Sequence, residues 1–148
     1  MGLSQQPTVI DATGLILGRM ASVVAKRLLM GERIVIVNAE KAVVSGKRHM
    51  VVGEYKKALE IRTLASLEKS PHRPRSPDVI VKSVVEGMLP KDNWRGRQAL
   101  KRLRVYIGCP PEYKDVEKET IPQASSKRLR HRYVYLGDVA KEIGWNPR

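Results

Sequence analysis

The stretch TVIDATGLILGRMASVVAKRLLMGERIVIV, residues 8–37, decides the fold. Residues 8–12 predict a short strand, and Thr13-Gly14 predicts the turn after it. Residues 34–37 are four β-branched residues in a row, typical of a parallel strand buried on both faces. Between them, apolar residues recur at helical spacing up to a stop at Gly31, and they are Leu17, Met20, Ala21, Val24 and Leu28. The order strand, helix, buried strand predicts a right-handed βαβ unit.

The remainder of the chain predicts further short helices and strands. Helices are expected over residues 48–62, from the N-cap Ser76 to Leu89-Pro90, and in a short last segment capped by Asp138. Short strands are expected at residues 43–44 and 105–107. Prolines make residues 70–77 a stiff basic loop, because each proline removes a backbone donor and biases its predecessor to extended geometry.

Residues 95–104 predict a helix with an unusual charge pattern. Wound at 100° per residue, the segment gathers Gly96, Ala99, Leu100 and Leu103 into one apolar arc, and the rest of the circumference is mostly Arg and Lys. No Asp or Glu occurs between Asp92 and Glu112, so the i,i+4 ion pairs of an ordinary solvated helix are missing. Such a face indicates contact with a polyanion, and the neighbouring Trp94 could stack on a base.

Composition favours one domain of 148 residues that binds nucleic acid. The net charge is +13, and residues 41–104 alone carry 16 cations against 6 acids. The single Cys109 excludes an internal disulfide and fits a reducing compartment. Residues 1–7 do not resemble a secretory signal, and no apolar run is long enough to cross a bilayer. We therefore expect a soluble cytoplasmic protein with no membrane partner; DNA binding, supported by charge alone, stays open.

Catalytic motifs are weak in this sequence. Residues 14–19, Gly-Leu-Ile-Leu-Gly-Arg, lie between a strand and a helix like a phosphate-binding loop. A phosphate-binding loop has four residues between its glycines, followed by Lys and then Ser or Thr. Here only three residues separate the glycines, and Arg19 and Met20 follow them. A nucleotide- or phosphate-binding enzyme that uses this turn is the alternative function. We expect no catalysis, no metal, no cofactor and no small-molecule substrate.

The sequence resembles the universal large-subunit ribosomal protein L-thirteen family, in its archaeal and eukaryotic form. The signature lies in residues 85–108, with GMLP at 87–90, GR at 96–97 and LRVYIG at 103–108. Supporting matches are DA at 11–12, LGRMA at 17–21, VNAE at 37–40, SG at 45–46, RSP at 75–77, YLG at 135–137 and EIGW at 142–145. Glu86 departs from the family, which usually has a basic residue there, so it is not counted as an RNA contact.

The resemblance implies a three-layer α/β/α fold around a small, mainly parallel four-stranded sheet. It also implies a non-catalytic constituent of the cytoplasmic ribosome that binds large-subunit rRNA, contacts neighbouring ribosomal proteins, and supports subunit assembly and translation. Residues 1–119 would form the α/β core of a single domain, and residues 120–148 a basic extension that ends in a short helix. The expected rRNA contacts are Lys47, Arg48, Arg73, Arg75, Lys91, Trp94, Arg95, Arg97, Lys101, Arg102, Arg104, Lys127, Arg128, Arg130, His131 and Arg132.

Overall fold

Four parallel strands form the main sheet. In spatial order they are Leu103–Val105, Ile34–Val37, Thr8–Asp11 and Lys118–Glu119. The computed structural model describes residues 6–147, so most of the start of the chain, including the residues weighed against a secretory signal, lies outside it. The strands are β1 (Thr8–Asp11), β2 (Ile34–Val37), β3 (Val43–Ser45), β4 (Leu103–Val105), β5 (Lys118–Glu119) and β6 (Tyr133–Tyr135). The helices are α1 (Leu17–Leu29), α2 (Arg48–Glu60), α3 (Pro77–Gly87), α4 (Trp94–Lys101) and α5 (Leu136–Glu142).

The βαβ unit predicted from residues 8–37 is confirmed. β1 and β2 pair in parallel, with Thr8 opposite Ile34 and Asp11 opposite Val37. All four residues of β2 are buried. Gly31 has φ +99°, a left-handed conformation that lets the chain turn away from the end of α1. The α/β class and the mainly parallel four-stranded sheet are therefore confirmed.

The two faces of the main sheet are covered differently. One face carries the large core, in which Ile10, Ile34 and Ile36 pack with buried residues of α1, α3 and α4. The opposite face carries Val9, Val35 and Val37, and among the described residues only Tyr106 and Tyr113 pack on them as partly buried apolar side chains. The layer on this second face is therefore thin.

Part of the C-terminal tail is packed against the rest of the chain. β6 pairs antiparallel with β3, from Val43 opposite Tyr135 to Ser45 opposite Tyr133. In α5, Leu136, Gly137, Val139 and Ala140 are buried. A Cβ added at Gly137 would stand 3.0 Å from the Glu40 carbonyl oxygen, so glycine permits this close approach. The division into a core of residues 1–119 and an extension stays a prediction.

Several predicted boundaries were wrong by a few residues. The basic helix ends at Lys101, and the strand after it is Leu103–Val105 rather than 105–107, because Leu103 already pairs with Ile34 of β2. Asp138 lies in the first turn of α5 and is not its cap. Ser76 occupies the N-cap of α3, but its side chain accepts no backbone hydrogen bond.

Candidate nucleic-acid interface

α4 presents a basic outer face, as its sequence predicts. Gly96 and Ala99 are buried against the core, whereas Arg95, Arg97 and Lys101 are exposed. The Asn93 side chain accepts a 3.1 Å hydrogen bond from the Arg95 backbone N–H, which satisfies one of the free donors at the start of the helix. Trp94, in the first turn, is 73% exposed, so its indole is available for stacking.

Two arginines of this segment are held by α1. Arg102 Nη2 donates to the carbonyl oxygen of Leu28 at 2.9 Å, and Arg95 Nη2 donates to that of Leu29 at 3.3 Å. The last carbonyls of a helix lack intrahelical donors, and positive charge there also complements the helix dipole. These bonds orient α4 on α1 and leave Arg97, Lys101 and Arg104 to face outward.

A close backbone contact fixes the start of α4. A Cβ added at Gly96 would stand 1.9 Å from the carbonyl oxygen of Pro90, far inside van der Waals contact. Glycine is therefore required at this point, because any side chain would push the helix away from the turn. The contact places Lys91, which is exposed, next to the first turn of the basic helix.

The strands of the main sheet begin beside α4, and an open depression of about 570 Å³ lies there. We call it the amino-end basin. Half of its lining residues are cations, and no carboxylate is among them. The basin is lined by Pro7, Arg33, Val35, Gln98, Lys101, Arg102, Arg104 and Tyr113.

Tyr113 forms one wall of the basin. Its ring centroid lies 5.8 Å from that of Tyr106, with the two planes at 39°. Desolvation, Tyr106 and the charge of Glu112 together raise the pKa of Tyr113, although Arg104 acts in the opposite direction. The phenol therefore stays protonated near neutral pH and can donate a hydrogen bond.

A second basic group forms where the tail meets the start of α2. The backbone N–H of Gly46 donates to the carbonyl oxygen of Arg132 at 2.7 Å, which continues the β3-β6 pairing. Arg132 therefore approaches Lys47 and Arg48, although the two segments are far apart in sequence. Arg48 also has an internal partner, since its Nη2 lies 2.6 Å from Glu142 Oε1.

A third basic group lies in the proline-rich loop. Arg75 packs against Gly144, with its Nη1 only 3.2 Å from the position that a Cβ of Gly144 would take. Arg73 lines a small depression with Pro74 and residues of α3. Both arginines are exposed. The loop thus holds its cations against the folded chain.

The sequence-predicted contact residues are exposed, apart from Arg102, which is partly buried. Most of them fall into the three groups described above. Lys127 and Arg128 lie elsewhere, beside residues 14–15, where the Ser126 N–H donates to the Gly14 carbonyl oxygen at 2.9 Å. Exposure is what an RNA contact requires, but it does not test the contact, so these assignments stay predictions. The exposed residues are Lys47, Arg48, Arg73, Arg75, Lys91, Trp94, Arg95, Arg97, Lys101, Arg104, Lys127, Arg128, Arg130, His131 and Arg132.

Sequence reasoning missed Arg33 and Tyr113 as neighbours of the basic helix. Arg33 lies in an N-terminal region with almost no net charge, and Tyr113 lies in the acidic segment. Parallel pairing brings Arg33 close, because the Ile34 N–H donates to the Arg102 carbonyl oxygen at 3.1 Å. A prediction that residues 103–105 form a strand paired with residues 34–36 would have placed Arg33 beside the basic helix.

The first half of the turn at residues 14–19 uses its backbone N–H groups within the fold. The Gly14 N–H donates to the carbonyl of Lys41, and the Ile16 N–H donates to the carbonyl of Ala124, at 3.0 and 2.7 Å. The Leu15 N–H is bonded within the turn, and the Leu15 side chain is buried. A phosphate-binding loop needs several backbone N–H groups directed at its ligand. The turn is therefore a structural joint between β1 and α1.

The carboxyl end of β1 is fixed by Asp11. Its Oδ1 accepts hydrogen bonds from the Thr13 N–H, the Thr13 hydroxyl and the Asn38 amide, at 3.0, 2.6 and 3.1 Å. Burial alone would raise the pKa of Asp11, but these bonds and the charge of Lys41 outweigh it, and the pKa lies below its ordinary value. The network also holds Asn38 at φ +58°, where β2 ends.

Two further kinds of feature are absent from residues 6–147. No helix within residues 6–147 is both long enough and apolar enough to span a bilayer. The same part of the chain holds no cluster of three or more His, Cys, Asp or Glu side chains suited to a metal ion. Cys109 is exposed and free of disulfide bonding.

Comparison with known proteins gives consistent matches along the chain. The model of the family described as ribosomal protein L13 matches residues 5–112. Large ribosomal subunit protein uL13 of Methanosarcina barkeri is 51% identical over 139 residues, covering 93% of this chain and 97% of that protein. Large ribosomal subunit protein uL13 of Aeropyrum pernix is 49% identical over 138 residues, covering 93% of this chain and 89% of that protein.

A more distant relative extends the match further along the chain. Large ribosomal subunit protein uL13 of Saccharolobus solfataricus is 41% identical over 145 residues, which cover 97% of each chain. The matched lengths include the signature at residues 85–108 and reach past the region of the family model. The resemblance stated from the sequence is thereby confirmed: the chain belongs to the ribosomal protein L13 family.

Proposed function

We propose that this chain is a structural constituent of the large ribosomal subunit, in the cytoplasm, that binds rRNA and supports subunit assembly. The observation that carries the proposal is the outer face of α4. It presents Arg97 and Lys101 to solvent, with no acid in the sequence between Asp92 and Glu112. Such a face is stable at high charge density when an anionic partner lies against it. The family membership selects rRNA over other polyanions.

Each of the three basic groups would contact a different segment of RNA backbone. α4 with Arg104 and Lys91 would lie along one backbone, and Trp94 would stack at the start of the helix. Arg73 and Arg75 would hold a second backbone, while Lys47, Arg48 and residues 130–132 would hold a third. Lys127 and Arg128, beside residues 14–15, would also contact the RNA. Most of these contacts position the protein on the phosphates, so recognition would come mainly from the shape of the folded RNA.

Protein neighbours are also part of the proposal. The uL13 relatives are named as large-subunit proteins, so we expect this chain to contact neighbouring ribosomal proteins as well as rRNA. The exposed acids Asp115 and Glu117 would face away from rRNA, since like charges repel. Catalysis is not proposed, because the matching family is one of ribosomal proteins and the N–H groups of residues 14–16 already bond to backbone carbonyls.

Crosslinking in cells tests the proposal. The tagged chain is irradiated in intact cells, and the attached RNA is sequenced. We expect the crosslinks to concentrate at a few sites of large-subunit rRNA. A variant with Arg97→Gln and Lys101→Gln should lose crosslinks, whereas Lys141→Gln, at an exposed position of α5, should keep them. Crosslinks spread evenly over all cellular RNA, or the same recovery from both variants, would reject the proposal.

A further inference from the structure

We propose that the amino-end basin binds a single unpaired nucleotide of the RNA, with its phosphate on the arginines and its base against Tyr113. The inference rests on the proposed function, because it takes the nucleotide to belong to the bound RNA chain. It adds a pocket with a defined ligand to an interface whose other contacts are mostly to phosphates. It also gives roles to Arg33 and Tyr113, which lie outside the basic helix.

The charges of the basin select an anion. Arg33, just before β2, and Arg104, in the adjacent strand β4, line it, and Lys101 approaches from the end of α4. Among the described residues, no hydrogen bond or ion pair engages the side chains of these three cations, and no carboxylate lines the basin. Arg102 is already fixed to Leu28, so it holds the shape of the wall. A phosphate group would therefore meet several free donors at once.

The floor and one wall of the basin suit a nucleobase. Val35 is only 3% exposed, and it pairs in register with Arg104, so both side chains lie on the thinly covered face of the sheet. Tyr113 stands beside them and is supported by Tyr106. An aromatic ring next to cations, over an apolar floor, is the arrangement that binds unstacked bases. Gln98 adds an amide that can both donate and accept at a base edge.

The size and shape of the basin favour an unpaired nucleotide over a double helix. Its volume of about 570 Å³ falls within the range of roughly 300–1,000 Å³ that is usual for small-ligand sites. A duplex would lay phosphates across the cations but would leave the ring of Tyr113 without a base to stack on, because its bases are stacked inside. An extruded nucleotide fills both the charged and the apolar part.

Two RNA hairpins with the same stem test the inference, one fully paired and one with a single bulged nucleotide. We expect the full chain to bind the bulged hairpin about tenfold more tightly, as stacking of one base on an aromatic side chain allows. Tyr113→Ala should remove this preference, and Tyr113→Phe should retain it. Arg33→Gln, an exposed change with little risk to the fold, should weaken the preference, whereas Lys141→Gln should not affect it.

Equal binding of the two hairpins by the unaltered chain would overturn the inference, as would a preference that survives Tyr113→Ala. Adenosine 5′-monophosphate and inorganic phosphate distinguish a nucleotide within RNA from a free one. We expect both to bind more weakly than the bulged hairpin; equally tight binding of the mononucleotide would assign the basin to a free nucleotide instead. Failure of the proposed function looks different, because neither hairpin would then bind in a salt-dependent way.

Discussion

Arg102 Nη2 donates a 2.9 Å hydrogen bond to the carbonyl oxygen of Leu28, in the last turn of α1. The guanidinium caps the C-terminal end of α1, although Arg102 itself directly follows α4. The hydrogen bond therefore fixes the position of α4 relative to α1. The Nε atom of the same group is buried without a partner, which shows how closely the side chain is enclosed. One cation of the basic stretch is therefore part of the scaffold, while its neighbours Lys101 and Arg104 face outward.

Replacing Arg102 should destabilise the protein more than replacing Lys101. Arg102→Ala removes a hydrogen bond from a charged donor, so we expect the free energy of unfolding to fall by about 1–3 kcal/mol. The Leu28 carbonyl keeps the Gly31 N–H as a donor, at 3.1 Å. Lys101→Ala, at an exposed position, should change it by less than about 0.5 kcal/mol. Urea denaturation of both variants measures the difference. Equal values would show that the Leu28 bond contributes nothing to stability.

Gly96→Ala should be strongly destabilising. The new methyl group would overlap the carbonyl oxygen of Pro90, so α4 must shift, and overpacking of this kind costs about 1–3 kcal/mol. Gly53→Ala, in the interior of α2 with open space around its Cβ position, is the matched control and should stabilise by about 0.5–1 kcal/mol. Thermal unfolding of the two variants gives the comparison. A stable Gly96→Ala protein would contradict the close approach.

Binding to rRNA fragments should depend steeply on salt. Each neutralised phosphate contributes about −0.7 to −0.9 to the slope of log affinity against log salt concentration. We expect Arg97→Gln to reduce the magnitude of that slope by about one such step, because one phosphate contact is lost. Filter binding or anisotropy at several salt concentrations measures it, with Lys141→Gln as the control of equal charge change. A slope that does not change in Arg97→Gln would place Arg97 off the RNA.

Stability should fall in acid through Asp11. Its folded pKa lies below the ordinary value, so its contribution is complete above the unfolded pKa of about 3.9 and is lost as pH falls through the folded pKa. Asp11→Asn should therefore be less stable than the unaltered chain above about pH 5, with the gap narrowing below about pH 4. Urea midpoints between pH 2 and pH 7 test this. A stability difference between the two proteins that does not change with pH would show that Asp11 does not contribute to the loss of stability in acid.

The sequence predicted the elements whose local pattern and tertiary role agree. Residues 34–37 are apolar without interruption and are buried between two parallel neighbours, so pattern and structure coincide. The arc of Gly96, Ala99 and Leu103 was also correct, since the buried side of α4 continues into β4. That continuity is why the helix was predicted too long: the same residues fit a helical stripe past Lys101.

Elements that depend on partners distant in sequence could not be predicted. β5 consists of Lys118 and Glu119, which have no apolar pattern and form a strand only because β1 offers an unpaired edge. Glu119 also bonds to Arg27 at 2.9 Å, across the chain. The amino-end basin has the same origin, because Arg33 and Tyr113 meet the basic stretch only after the sheet is assembled.

A cryo-electron microscopy map of the large ribosomal subunit that contains this chain tests the central claim most directly. The quantity to measure is the distance from the side-chain nitrogens of Arg97 and Lys101 to the nearest phosphate oxygens. We predict that both lie within about 4 Å of the rRNA backbone, as charge-assisted contacts require. An outer face of α4 that is open to solvent, or covered by protein alone, would contradict the account.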